Sequence, residues 1–362
     1  MKKLFYFAVL LLSSAFIANA QDQYNQYGVK VDIDPLQAEA QDGILVLRSK
    51  NNSGYKIWFD NRVQTDGAVF FGEPSWADGI SNDFSIRRAR FAVKAQINKD
   101  WYGEVDMDMA NGVFELKDAI IRYTGLENWQ FQMGSFKEIF SLQRNNSSRY
   151  LQFIERPMVC SALAPSRHLG LNANYYNKGL FLNLGIMGQE IEGEETRSFV
   201  EESSKGKGPD NGLTYTFKAV YQPGWNKTDW GMHIGAAASY RNPKTSDETF
   251  GKMRYSTRNS TSINRKKYID LNADKALAAD DQKIMGGSAM AYAVGLNYYI
   301  NDHVKVQLNW QYNDNDRFAS GKGNKFFCGV DENGAATRNP YYTRGKAGVD
   351  YHMVAMRFEI DF

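Results

Sequence analysis

Residues 84–97 set Ala89, Phe91, Val93, Ala95 and Ile97 against Arg88, Arg90, Ala92, Lys94 and Gln96. A two-residue period of this kind places an apolar row and a charged row on opposite faces of a β-strand. After the short turn Asn98-Lys99-Asp100, Val105, Met107 and Met109 alternate with Glu104, Asp106 and Asp108. Antiparallel pairing of the two segments brings a basic stripe against an acidic one. The same period recurs at 129–136, 169–176, 180–186, 213–221, 230–240, 290–298 and 304–312. It returns at 351–362, where Val354, Met356, Phe358, Ile360 and Phe362 share a face. Twelve strands are expected from about residue 55 onward, with less regular candidates at 249–258, 262–271 and within 319–345.

Such strands build either a soluble sandwich, with the apolar face packed inward, or a membrane barrel, with that face on lipid and the polar face on water. Three features favour the barrel. Tyr and Trp crowd the strand ends (Trp101, Tyr123, Trp129, Tyr175, Tyr298, Trp310), as in interfacial aromatic girdles. Short links at 98–100, 125–128, 177–178 and 301–303 alternate with long polar ones at 137–167, 187–211, 241–252 and 313–350. That asymmetry matches periplasmic turns and external or infolded loops. The chain also stops on an aromatic residue, Phe362, a feature that resembles the assembly signal of outer-membrane barrels. The expectation is an all-β transmembrane antiparallel barrel over 51–362, of 16 strands, with 14 or 18 also compatible, wide enough for an aqueous lumen.

Composition changes this picture little. Lys2 and Lys3, the apolar run Leu4–Leu12 and Ala18-Asn19-Ala20 read as a signal peptide over residues 1–20. Residues 21–50 are expected to be a periplasmic arm. Residues 1–20 hold two of the 43 basic residues and none of the 41 acidic ones, so the remainder is balanced. A global field that would draw in nucleic acid is therefore not expected. Cys160 and Cys328 allow one disulfide or two free thiols, no metal site is evident, and no cofactor is implied.

Several motifs, in order, resemble the phosphate-selective porin O and P family. They are Arg62-Val63-Gln64-Thr65-Asp66, Arg87-Arg88-Ala89-Arg90, Lys117-Asp118-Ala119, Met133-Gly134-Ser135-Phe136-Lys137-Glu138, Phe153-Ile154-Glu155-Arg156 and Ala164-Pro165-Ser166-Arg167. Gly286-Gly287 and Val294-Gly295-Leu296-Asn297 complete the series. The resemblance implies a homotrimeric outer-membrane porin of 16 strands, in contact with lipid and lipopolysaccharide. Its third external loop, about 137–167 here, would fold into the barrel as a constriction with basic residues along an anion route.

Within that loop lie five basic residues, Lys137, Arg144, Arg149, Arg156 and Arg167, against Glu138 and Glu155. A basic excess beside a narrow water column lowers the barrier for anions. The expected function is passive diffusion of small hydrophilic solutes with a weak anion preference. Arg88, Arg90 and Lys94 would add to the route, with Glu104, Asp106 and Asp108 as an acidic counter-row. Alternatively, the loop arginines pin the loop to wall acids, or the barrel is a scaffold with no open channel. An enzyme is not expected: four histidines exist, and His168 with Ser166 is a pairing without an evident third group.

Overall fold

The structure is a computed structural model. It describes residues 35–73 except 42, 52 and 53, then 80–188, 213–227, 230–241, 255–258, 261–264, 267–271, 288–316, 329–330, 336–337 and 350–362, with a few positions between 23 and 31. The signal-peptide expectation and Cys328 lie outside the described residues.

After a two-residue antiparallel pairing of Gln23–Tyr24 with Lys30–Val31, a hairpin follows in which β1 (Leu36–Gln41) pairs antiparallel with β2 (Ile44–Ser49), which joins the start of β3 (Tyr55–Phe71) through Val46–Arg48 and Lys56–Trp58. The wall continues through β4 (Asp83–Ile97), β5 (Trp101–Asp108), β6 (Glu115–Tyr123), β7 (Trp129–Lys137), β8 (Arg167–Asn177) and β9 (Leu180–Met187). It is extended by β10 (Thr214–Tyr221) and β11 (Ile234–Tyr240). A separate hairpin, β12 (Tyr255–Arg258) with β13 (Lys267–Leu271), precedes β14 (Ser288–Tyr299), β15 (Val304–Asp316) and β16 (Tyr351–Asp361).

Antiparallel neighbours run from β11 back through β3, then on to β16, β15 and β14. The last strand, β16, pairs with β3, from His352↔Phe71 to Asp361↔Arg62. Phe362 extends this seam by exchanging both backbone hydrogen bonds with Asn61, at 2.8 and 3.1 Å. The path ends on β11 and β14. The expected 16 strands depend on residues in 242–287 and 317–349, most of which lie outside the described ones.

Burial decides between sandwich and barrel, because the face that is buried is the polar one. Along β16, Arg357 and Glu359 are buried, whereas Met356 and Phe358 are 49% and 45% exposed. On β15, Gln307, Asn309, Gln311 and Asn313 are buried between exposed Leu308 and Trp310. A water-soluble sheet exposing such a run of large apolar side chains would lose the burial that drives folding. In a bilayer the same row meets hydrocarbon, and the polar row lines the interior. The sheet is an all-β, antiparallel wall of the outer-membrane barrel type.

Two bulges break the alternation on the lumen side. Gln64 faces Arg88 and Thr65 faces Ile86, so Arg87 is an extra residue on β4. Asp106 faces Asp118 and Met107 faces Leu116, so Lys117 is an extra residue on β6. A bulge re-aims side chains that strict alternation would send to the other face.

A candidate constriction built by an infolded loop

Residues 138–166 connect β7 to β8 and cross the lumen to the opposite wall. Short helical turns at Leu142–Asn145 and Ser148–Tyr150 are started by Ser141 and Ser147, whose hydroxyls accept from the Arg144 and Arg149 amides. Beyond them the backbone is caught carbonyl by carbonyl. Lys305 Nζ donates to Arg149 O at 2.7 Å, Gln307 Nε2 to Leu151 O at 2.9 Å, Asn297 Nδ2 to Gln152 O at 3.0 Å and Arg357 Nη1 to Ile154 O at 2.5 Å. An irregular segment inside a barrel needs such partners, because each buried orphan carbonyl costs about 1–3 kcal/mol. Phe153 lies over Gly295, where an added Cβ would stand 3.2 Å from its ring, so the smallest residue makes room for the loop.

Ion pairs fasten the same loop. Arg149 donates to Asp60 at 2.5 Å and its Nε lies 2.5 Å from Asp361 Oδ2, which locks it to both strands of the closing seam. Glu155 accepts from Arg87 Nε at 2.7 Å and Arg357 Nη2 at 2.9 Å, with Arg88 Nη2 at 3.4 Å. Burial pushes the Glu155 carboxyl up, but Arg87, Arg88 and Arg357 together hold it well below the usual carboxylate range. Arg357 is itself gripped by both oxygens of Asp66, at 2.6 and 2.7 Å.

At the loop's start, Glu138 is buried against His168 Nδ1 at 2.8 Å and accepts from Thr216 at 2.8 Å. Burial raises this carboxyl, whereas His168, Arg241 and Thr216 bring it below its ordinary value. His168 Nε2 meets Arg241 Nη2 at 2.9 Å. The imidazole is thus engaged on both nitrogens, and Ser166 contributes its carbonyl to the Glu138 amide at 3.0 Å.

On the wall, Arg90 lies opposite Asp108 and Lys94 opposite Glu104. Arg90 reaches Asp106 at 2.6 Å and Asp108 at 3.3 Å, and Lys94 reaches Asp60 at 2.5 Å and Glu104 at 3.7 Å. Arg88 lies beyond Asp108, where β5 ends, and pairs with the loop's Glu155 instead of the acidic row. Arg167 takes both oxygens of Asp118, at 3.0 and 2.6 Å. Carboxylate oxygens of Glu104, Asp106 and Asp118 come within 4.8 Å of one another, with Lys94, Arg90 and Arg167 paired among them.

Three basic groups take neutral partners. Arg156 donates to Gln143 O at 3.0 Å and Asn146 O at 2.5 Å, Lys137 shares Asn146 O at 3.3 Å, and Arg62 reaches Ser147 Oγ at 3.3 Å.

All eight basic candidates and all three acidic ones line a single cavity of about 970 Å³. The alternation pattern located them by face. It did not single out Asp60, Arg62, Arg87, Asp66 or Glu155 as a group, because their partners are far apart in sequence. Cys160, unbridged among the described residues, lies 3.8 Å from Ser141 Oγ.

A curated relative from Caulobacter vibrioides, described as an uncharacterized protein, is 24% identical over 185 residues, which is 51% of this chain and 36% of that one. The chain thus aligns with about a third of that relative's length. Among solved structures, OprB of Pseudomonas putida matches over 85% of this chain and 94% of its own, with 10% identity and a TM-score of 0.47. OccK11 (OpdR) of Pseudomonas aeruginosa matches over 86% and 96%, with 10% identity and a TM-score of 0.36. The family model described as "Phosphate-selective porin O and P" matches residues 60–275 and 262–342. A polar-lined wall, an apolar outer face and a match over most of its length make this chain a Gram-negative outer-membrane β-barrel that belongs to the phosphate-selective porin O and P family.

Proposed function

We propose that the chain forms a water-filled channel for passive diffusion of small hydrophilic solutes, with a weak preference for anions. The observation that carries this reading is the charge lining the cavity beside the loop: thirteen Lys or Arg against seven Asp or Glu. In a narrow lumen with low-dielectric walls, that surplus raises the local anion concentration. Most of these cations are paired, so the surplus is spread over the wall and not focused in one naked site, which supports a weak bias. Opposed rows such as Arg90 and Lys94 against Asp106, Asp108 and Glu104 also impose a transverse field on a passing solute.

Purified protein in planar bilayers should give stepwise conductance in chloride, reduced by competing phosphate or pyrophosphate. A barrel without steps would be the scaffold reading instead. Arg144→Ala should lower the anion-to-cation permeability ratio, and an unchanged ratio removes Arg144 from the route. The homotrimer that the family implies belongs to the same proposal, and cross-linking in outer-membrane vesicles checks it through a three-chain band.

A further inference from the structure

The three guanidinium groups around Glu155 come from two wall strands, whereas the carboxylate they share comes from the loop. Arg87 points into the lumen only because the bulge on β4 turns it there, beside Arg88. Arg357 does not need Glu155, since Asp66 binds it with both oxygens and Ile154 O accepts a further bond. For Arg87 and Arg88, Glu155 is the one carboxylate partner among the described residues. Glu155 keeps 13% of its side chain exposed and lines the cavity with Arg87 and Arg88, so this cluster is reachable from the water column. Planar forks converging on one oxyanion are the geometry that recognises carboxylate and phosphate.

We propose that Glu155 is a tethered occupant of an arginine pocket: its carboxylate fills a site that Arg87, Arg88 and Arg357 would otherwise offer to a phosphate- or carboxylate-bearing solute. The inference rests on the channel reading for its consequence, which is that Glu155 holds the anion preference down and fastens the loop with the same contact. Removing the charge leaves Asp66 as the one carboxylate paired with these three arginines among the described residues.

The test is a calorimetric titration of inorganic phosphate into the full chain in detergent, for wild type, Glu155→Ala and Glu155→Gln. The glutamine variant keeps the side chain's size, so that the titration can be read on a folded protein even where the alanine variant fails to fold. Both variants should bind phosphate at least about tenfold more tightly than wild type, and the added change Arg87→Gln should abolish the gain. In bilayers, phosphate should then block chloride current through the variants at concentrations that leave wild type open. Folded variants that bind phosphate no better than wild type overturn the proposal, as does a gain that survives Arg87→Gln. A wild-type protein that never conducts counts against the channel reading alone, because the titration still decides whether the pocket exists.

Discussion

Arg149 belongs to a loop, yet its two carboxylate partners, Asp60 and Asp361, sit on β3 and β16, the two strands of the closing seam. Replacing it with Ala leaves two partly buried carboxylates without their cation. That should cost about 1–2 kcal/mol, less than a fully buried pair because the arginine is 20% exposed. It should also lower the anion-to-cation permeability ratio about twofold, measured by reversal potential. Glu155 makes a second prediction. Its folded value is depressed, so its contribution is present above the ordinary glutamate value and lost only as pH falls through the lower folded one. Loop-derived noise in the single-channel current should stay low from about pH 8 to about pH 5 and rise only well below pH 4, as the loop loosens. Loosening already at pH 6 would show that Glu155 is not held by its arginines. None of these partnerships could be read from sequence: the two-residue period states which face a side chain takes, not which residue 200 positions away stands opposite.

Strands were the most legible elements, because one buried and one lipid-facing row force strict alternation. The pattern placed the turn at 98–100 and the paired strands at 180–186 and 213–221, within a residue or so of the observed ends. The hairpin of β1 and β2 escaped this reading, although Leu36, Ala38 and Ala40 do alternate with Gln37, Glu39 and Gln41; Ala is too small to mark an apolar face. The bulges at Arg87 and Lys117 were illegible for a different reason. A bulge is a register difference between two strands, and neither strand alone records it. Gly134 is another case, since it adopts φ +118° and a Cβ there would stand 1.9 Å from Ala119 O. Gly134→Ala should destabilise β7 by about 2–4 kcal/mol, seen as a lower urea midpoint for the folded barrel. A midpoint unchanged from wild type would mean the strand relaxes without strain.

For the whole molecule, apolar surface outside, polar side chains inside and a loop tied to the far wall form one arrangement. The partners of the loop's carbonyls, of Arg149 and of Glu155 all lie on β14 to β16 and β3 to β4, opposite the strands from which the loop departs. The constriction is therefore fastened at both ends and behaves as part of the wall. Sequence alone pointed to the compartment, through the signal-peptide pattern, the alternation and the aromatic strand ends, and to the infolded loop, through the family resemblance. It could not apportion charge between structure and transport, because a lumenal arginine satisfied by a carboxylate and one facing open water share the same alternation. The most direct test is the zero-current potential of purified wild-type channels across a tenfold potassium chloride gradient. Discrete conductance steps and a reversal potential displaced modestly toward the chloride equilibrium value are expected. Absence of steps, or displacement toward potassium, would contradict the channel reading.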